Sequence, residues 1–457
     1  MKILHIIRKI FFGTYARGFI FSYLSVMLVG ASVLKLPISV QSGVHLSWAD
    51  ALFTASSALS VTGLTTIVVR DVFTIFGQTV LILIIQFGGI GLIMMLAMFW
   101  LVARKKIGFK ERNMIMTDQN QISRQGIVRF IRNVIIVIFS VEIIAFLVIG
   151  NYLYFAGYFP QLQEAFFQAF FMTISLFTNA GFDIAPNDDS FQMFANDYFM
   201  QSIGMLLIFL GAVGFWTLAE FKEKIKAKLA GEAYKFSLFV RILLIMYFLL
   251  WFGGAAVIYV IESSHFLADK GVVESIFYAL FMSITTRNAG FSTMDVNDFS
   301  APTQVFLMAL MFIGASPNSV GGGIRTTTFL VIILSIHAFA LGREHIIVFG
   351  RRLKQETIYK SFITLTVAAM LVSGYIFVLA VIEPFSTSAI AFEVTSAFGT
   401  TGLSLGITGD LHHISKILLS VLMFVGRMGV LALLLMFRPE QKTKGSVSYP
   451  ETDIIVG

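Results

Sequence analysis

The chain has no cysteine in its 457 residues, which excludes disulfides and thiolate metal sites. It is also poor in charge. Only 13% of its residues are Asp, Glu, Lys or Arg, about half the roughly 25% of a soluble domain. That is too little to cover a water-facing surface. Its seven histidines form no HExxH or similar ligand pattern, and the adjacent His412 and His413 would point in different directions on a helix. They read as polar loop residues. There is no nucleotide-binding GxxxxGK(S/T) loop, no metal-ligand cluster and no nucleophile–base pair at helical spacing, so the chain reads as no enzyme and binds no cofactor of its own. The N-terminal MKILHIIRKIFF lacks the separate basic, apolar and small-residue regions of a signal peptide. It reads as an amphipathic segment on a membrane surface.

What the chain has is apolar length: 57% of it is hydrophobic. Apolar runs recur at Phe19 to Leu34, Thr79 to Ala103, Val134 to Ile149, Phe199 to Ala219, Ile242 to Ile261, Val305 to Ile313, Thr364 to Ile382 and Ile417 to Phe437. With their flanks most reach the roughly 20 residues of a membrane span. The expectation is an all-α integral membrane protein with eight transmembrane helices, in contact with membrane lipid.

The net charge of +7 sits in five clusters: around Lys2 to Arg17, Arg104 to Arg132, Lys222 to Arg241, Arg343 to Lys360, and Arg438 to Lys444. Basic loops stay in the cytoplasm, so both termini are expected there. The membrane rule accounts for the charge, and no nucleic-acid partner is expected. An acidic segment (Asp183, Asp188, Asp189, Asp197) lies between clusters, on the outer side.

Five cytoplasmic segments are separated by four similar stretches, which read as repeats. The expected division is a cytoplasmic segment 1–17, repeats at 18–110, 111–232, 233–345 and 346–438, and a cytoplasmic tail 439–457. Each repeat has a long apolar helix, a short aromatic-rich run, a glycine turn and a second apolar helix. The turns align as FTASSALSVTGL, FMTISLFTNAGF, FMSITTRNAGF and FEVTSAFGTTGL, with glycines at 63, 181, 290 and 402. Gly88, Gly211, Gly314 and Gly426 follow them by 25, 30, 24 and 24 residues.

The aromatic run is too short to cross a bilayer and too apolar for a solvated loop. Such segments are re-entrant, and non-helical backbone at membrane depth must be buried or line a cavity. Four of them meeting on one axis would make four M1–P-loop–M2 repeats around one pseudo-fourfold pore. The candidate coordinating residues are Val61, Thr62 and Gly63; Asn179, Ala180 and Gly181; Asn288, Ala289 and Gly290; and Thr400, Thr401 and Gly402. Their side chains are neutral, so backbone oxygens would replace the hydration shell of an alkali cation. Glycine allows the close approach. The competing account is four hairpins with ordinary C-cap glycines, which does not explain the aromatic half-helix before every one.

The third repeat has a broken second helix, at GASPNSVGGGIRTTT (Gly314 to Thr328). A polar, flexible segment halfway through a membrane helix must line a cavity or be buried. Gly314, Ala315, Ser316, Pro317, Asn318, Ser319, Gly321, Gly322, Gly323 and Arg325 are therefore a candidate gate, with a passive kink as the alternative. Arg427 sits mid-helix, where arginine is costly and faces a partner or the pathway. Backbone oxygens or hydroxyls of the 314–328 loop suit it. Arg287 abuts the third turn and is expected to brace it from behind. Glu142 is an intramembrane acid with two open readings, a local pair or a part in transport.

These turns, the repeated glycines, the broken third-repeat helix and the GRMG arginine resemble the Trk/Ktr/HKT superfamily of potassium transporters. Within it the length and span count look like the Ktr-type membrane subunit (KtrB/KtrD-like). LPISV, WADALFTASSALSVTGL, FGQTV and the tail SYPETDIIVG add to the likeness. The resemblance implies K+ selection at Gly63, Gly181, Gly290 and Gly402, and a gating loop from Gly314 to Arg325 acting with Arg427. It further implies Na+ stimulation, a homodimer, and a cytosolic nucleotide-binding regulatory ring (KtrA/KtrC-like) at a bacterial cell membrane. The loop departs from the family's usual pattern at Arg325, where lysine is usual, and at Pro317-Asn318. A membrane sensor or scaffold without transport of its own is the alternative reading.

Overall fold

The computed structural model describes residues 15–102, 127–185 and 190–436. Most of the expected N-terminal segment, most of the second basic cluster, Asp188, Asp189 and the tail 439–457 lie outside these residues.

The described chain is helical apart from a small antiparallel hairpin of Ile347–Val348 with Arg351–Arg352. Its principal helices are α1 (Tyr15–Leu34), α2 (Trp48–Ser60), α3 (Ile75–Ile90), α4 (Leu92–Val102), α5 (Ile127–Phe155), α6 (Leu162–Thr178), α7 (Tyr198–Ala212), α8 (Phe215–Leu229), α9 (Leu238–Glu262), α10 (Val272–Thr285), α11 (Ala301–Ile313), α12 (Thr326–Ala340), α13 (Gln355–Ile382), α14 (Thr387–Gly399), α15 (His413–Met428) and α16 (Val430–Met436). Of these, α5, α9 and α13 are each long and apolar enough to cross a membrane unaided. They carry large apolar residues on the outside, such as Phe252 on α9 and Phe377 on α13, as a lipid-facing helix must. Together with the run of shorter apolar helices, they make this a multi-pass membrane protein.

The short helices α2, α6, α10 and α14 have the opposite burial. From Phe53 to Ser60, Phe171 to Thr178, Phe281 to Thr285 and Phe392 to Gly399 every residue is buried. Their hydroxyl and aromatic side chains are thus packed within protein, which is where a membrane permits chain ends. Local signals start them. Ser47 and Ser386 cap α2 and α14 by accepting from Asp50 N and Ala389 N, satisfying otherwise orphaned donors.

The packing closes in a circle. α2 lies against α1, α3 and α15; α6 against α5, α7 and α3; α10 against α9 and α7; α14 against α13, α15 and α11. Each short helix thus touches a helix from the preceding stretch of chain, and the first touches the last.

From the sequence a break is expected only in the second helix of the third stretch. The structure has one in each. α3 and α4 part at Gly91, α7 and α8 at Gly214, α15 and α16 at Gly429, with φ of 95°, 97° and 85°. α7 and α8 differ in direction by 106°. A residue at such φ interrupts a right-handed helix, and glycine is the one that does so without steric cost. Between α11 and α12 the break lengthens to the segment 314–325.

Candidate functional site

Three of the short buried helices end on a left-handed residue, and the fourth, α10, reaches one three residues past its end. Val61, Asn179, Asn288 and Thr400 follow in the left-handed region, with φ of 58°, 56°, 77° and 52°. Branched Val and Thr rarely adopt it, so packing must hold them there. The next amides reach back: Thr62 N donates to Ser57 O, Ala180 N to Ser175 O and Thr401 N to Ser396 O, at 2.7–2.8 Å. Gly63, Gly181, Gly290 and Gly402 then turn at φ between 67° and 95°.

These four glycines meet. A Cβ added to Gly63 would lie 2.7 Å from Ala180 O; on Gly181, 3.0 Å from Ala289 O; on Gly290, 2.5 Å from Thr401 O; on Gly402, 2.2 Å from Thr62 O. The contacts form a closed ring in chain order. No side chain fits inside it, and one backbone carbonyl from each turn lies against the next turn's glycine. The C-termini of α2, α6 and α14, which run directly into these turns, bring partial negative charge toward the ring.

Hydroxyls six or seven residues back on the preceding helices hold the turns in place. Ser57 and Ser396 Oγ accept from Gly63 N and Gly402 N, both at 3.1 Å. Ser175 Oγ donates to Phe182 O at 2.7 Å and Thr285 Oγ1 to Phe291 O at 2.6 Å. Sequence reasoning passed over these four, although a Ser or Thr stands there in every aligned turn. It also missed a bridge between turns: Asn288 Nδ2 donates to Gly399 O and, at 2.9 Å, to Thr400 Oγ1.

Three of the aligned second-helix glycines share one task. A Cβ on Gly88, Gly211 or Gly426 would fall 2.0–2.2 Å from the carbonyl of Leu59, Phe177 or Phe398, the penultimate residue of α2, α6 or α14. Gly314 differs: its Cβ would meet Gly322 O of its own loop. Here Arg287 intervenes. It is fully buried and donates to Leu310 O at 2.7 Å and Gly314 O at 3.3 Å. Its guanidinium thus lies against the carbonyl end of α11, behind the third turn.

The 314–325 segment lies directly against the turns. A Cβ on Gly321 would fall 2.5 Å from the Asn288 side chain, and one on Gly322 would fall 2.7 Å from Thr400 Oγ1. Its far side plugs the α7–α8 break. Ser316 N and Val320 N donate to Ala212 O and Gly211 O, and Phe215 N donates to Asn318 O at 2.7 Å. Pro317 O packs against Gly214, and Asn318 itself sits at φ 56°. Ala315, Ser319 and Gly323 are buried in the same segment.

Two arginines clamp this segment. Arg427 Nη1 donates to the carbonyls of Ser319 (3.3 Å), Val320 and Gly321 (3.4 Å). Its Nη2 donates to Gly88 O and Gly89 O, the latter at 3.1 Å. Arg325 donates to Gly321 O and, at 3.4 Å, to Arg427 O. Glu142 on α5 accepts from Gln86 Nε2 of α3 at 2.9 Å and 3.0 Å, a local pair.

At the start of α2, Lys416 of α15 pairs with Asp50 at 2.9 Å, both largely buried. Burial opposes ionisation of Asp50, but the Ser47 hydroxyl and the Lys416 ammonium outweigh it and hold the carboxyl below its usual range. No group of three or more potential metal-ligating side chains occurs among the described residues.

Comparison with known proteins adds a separate line. Residues 18–446 match the TrkH family, described as a cation transport protein. The chain is 41% identical to the Ktr system potassium uptake protein D of Bacillus subtilis, with 95% of each covered. It is 32% identical to the Ktr system potassium uptake protein B of the same organism, with 94% of each covered. It is 31% identical to the potassium/sodium uptake protein NtpJ of Enterococcus hirae, again over 94% of each. The crystal structure of the potassium transporter TrkH from Vibrio parahaemolyticus superposes with a TM-score of 0.70 at 22% identity, covering 93% of this chain and 85% of that one.

Proposed function

The chain belongs to the TrkH family of cation transport proteins, and from this we propose that it is the ion-translocating subunit of a potassium uptake system. It is a membrane transporter of that family and not an enzyme. The observation that carries the ionic reading is the closed ring of Gly63, Gly181, Gly290 and Gly402 with the carbonyls of Thr62, Ala180, Ala289 and Thr401 against them. An alkali cation entering that ring loses water and gains carbonyl oxygens. The ring presents no carboxylate, which suits a weakly hydrated monovalent ion better than a divalent one.

In this reading the repeats at 18–110, 111–232, 233–345 and 346–438 each supply one turn, and eight membrane passes surround one pseudo-fourfold pore. The cyclic packing of the four short helices supports it. The 314–325 segment is the gate. Its contacts to Asn288 and Thr400 support a position on the ion path next to the ring, and in this reading Arg427 and Arg325 hold it shut. Opening must break that clamp and withdraw the loop from the α7–α8 gap.

Two close relatives are named as potassium uptake proteins of a Ktr system, and we extend the reading to this chain's setting. It works as a homodimer on a cytosolic nucleotide-binding ring (KtrA/KtrC-like), in a bacterial cell membrane with both termini inside. Na+ acts as an activator, in keeping with the potassium/sodium name of a third relative.

Purified protein in liposomes tests the ionic reading. Inward K+ flux that exceeds Na+ flux under equal gradients is expected. Protein that inserts correctly but moves neither ion, alone or with the regulatory ring, would instead fit a sensor or scaffold.

A further inference from the structure

α8 departs from α7 at 106°, so it cannot continue α7's path across the membrane. Its first turns are anchored, with Phe215, Thr217, Leu218 and Ala219 buried. Its distal half is not. Ile225 is 62% and Leu229 85% exposed, and at a spacing of four they form one stripe. With 3.6 residues per turn, Lys222 and Lys226 fall on one flank of that stripe, and Lys224 and Lys228 on the other.

The acids go elsewhere. Glu220 and Glu223 lie opposite the stripe and turn into the protein: Glu220 accepts from Ser237 N at 2.9 Å, and Glu223 accepts from Asn133 Nδ2 at 3.0 Å. Lys222 joins them by donating to Asn133 Oδ1 at 3.1 Å. Lys224, Lys226 and Lys228 are exposed and form no ion pair among the described residues; the Lys224 Nζ lies 4.3 Å over the Phe236 ring.

The surroundings say which phase this stripe meets. α9 begins a few residues later and exposes Phe239, Ile245, Leu249 and Phe252 along a membrane-crossing helix. Arg241 and Tyr234 are exposed near its start. Basic and aromatic residues where a span begins mark the headgroup level. A helix with an apolar stripe, lysine flanks and a polar back is built to lie in that layer.

We infer that the distal half of α8 lies along the membrane interface. Ile225 and Leu229 sit at the acyl boundary, and Lys224, Lys226 and Lys228 bind the phosphates of anionic phospholipids. An acidic protein surface would also attract the lysines. It would not account for the exposed apolar pair Ile225 and Leu229 between those lysines.

The absence of cysteine makes the test clean and independent of transport. Leu229→Cys and Ala227→Cys, on opposite faces, each give a single labelling site for a fluorophore. The whole protein is placed in phosphatidylcholine vesicles with or without phosphatidylglycerol, either lipid brominated as a quencher. The Leu229 label should be quenched strongly and the Ala227 label weakly. Quenching should favour brominated phosphatidylglycerol. At about fivefold per lysine, the three together should give up to roughly a hundredfold preference. The variant with Lys224, Lys226 and Lys228 all changed to Gln should lose that preference and keep its fold. A Leu229 label open to aqueous quencher in both vesicles would overturn the inference. So would an unchanged lipid preference in the lysine variant, or protection that appears only when a cytosolic protein is added.

Discussion

Arg427→Gln is the sharpest perturbation of the proposed gate. The guanidinium spans two elements: one nitrogen faces the carbonyls of Ser319, Val320 and Gly321, the other those of Gly88 and Gly89. A hydrogen bond to a charged group is worth about 1.5–3 kcal/mol net. Counting one such bond on the loop side, since the three carbonyls share one nitrogen, its loss should raise the open-to-closed ratio by roughly ten- to a hundredfold. The remaining ties of the loop, from Arg325 and the α7–α8 gap, are untouched. The assay is K+ uptake into cells lacking their own potassium systems, at matched surface expression. Vmax should rise by about tenfold or more while KM stays near that of the parent, because the glycine ring is not altered. Arg427→Lys separates two causes. It keeps the charge but loses the planar fork, so behaviour like Gln assigns the effect to the clamp, and behaviour like the parent assigns it to a charge barrier. An unchanged Vmax in Arg427→Gln, with normal thermal melting, would refute the clamp.

Other perturbations follow from the packing. Gly426→Ala forces a Cβ to about 2.0 Å from Phe398 O; relieving that contact should cost about 1–3 kcal/mol and show as a lower melting temperature. Gly253→Ala, where nothing lies within 4 Å, should be neutral or slightly stabilising in the same melt. Lys416→Met strands the buried Asp50 carboxylate and should cost about 3 kcal/mol, most of it recovered in the double variant with Asp50→Asn. The Asp50 carboxyl is held below its usual range, so its stabilisation is complete above about pH 4 and fades as the pH falls further. Melting curves taken down an acid series should therefore decline less steeply in Asp50→Asn than in the parent.

The four glycine turns were legible because the same words recur in the chain. FTNAGF and TRNAGF need no structure to be matched. That the four turns meet on one axis was expected from the repeats, but which carbonyl lies against which glycine was not legible, because it depends on how four distant segments close a circle. The breaks at Gly91, Gly214 and Gly429 were hidden inside apolar runs that read as continuous spans. A signal existed: each follows Gly88, Gly211 or Gly426 by three residues, and only the third stretch lacks that second glycine. Arg427 was recognisable as costly, and the loop was foreseen among its partners. Its second anchor on Gly88 and Gly89 comes from the first stretch of chain, a contact no local pattern announces. Asn288 looked like one word of a repeated turn. Only the fold places its amide on Gly399 and Thr400, tying the third turn to the fourth.

The claim that most needs testing is that the glycine ring selects the ion. Gly290 has φ of 73° and faces Thr401 O, so Gly290→Ser should distort the ring without touching the gate segment. Potassium uptake with sodium as competitor, in cells lacking their own potassium systems, measures it directly. A variant that reaches the membrane but takes up K+ with lower affinity and weaker preference over Na+ is the predicted result. Unchanged uptake and unchanged selectivity would mean that these glycines only cap helices, and would contradict the account.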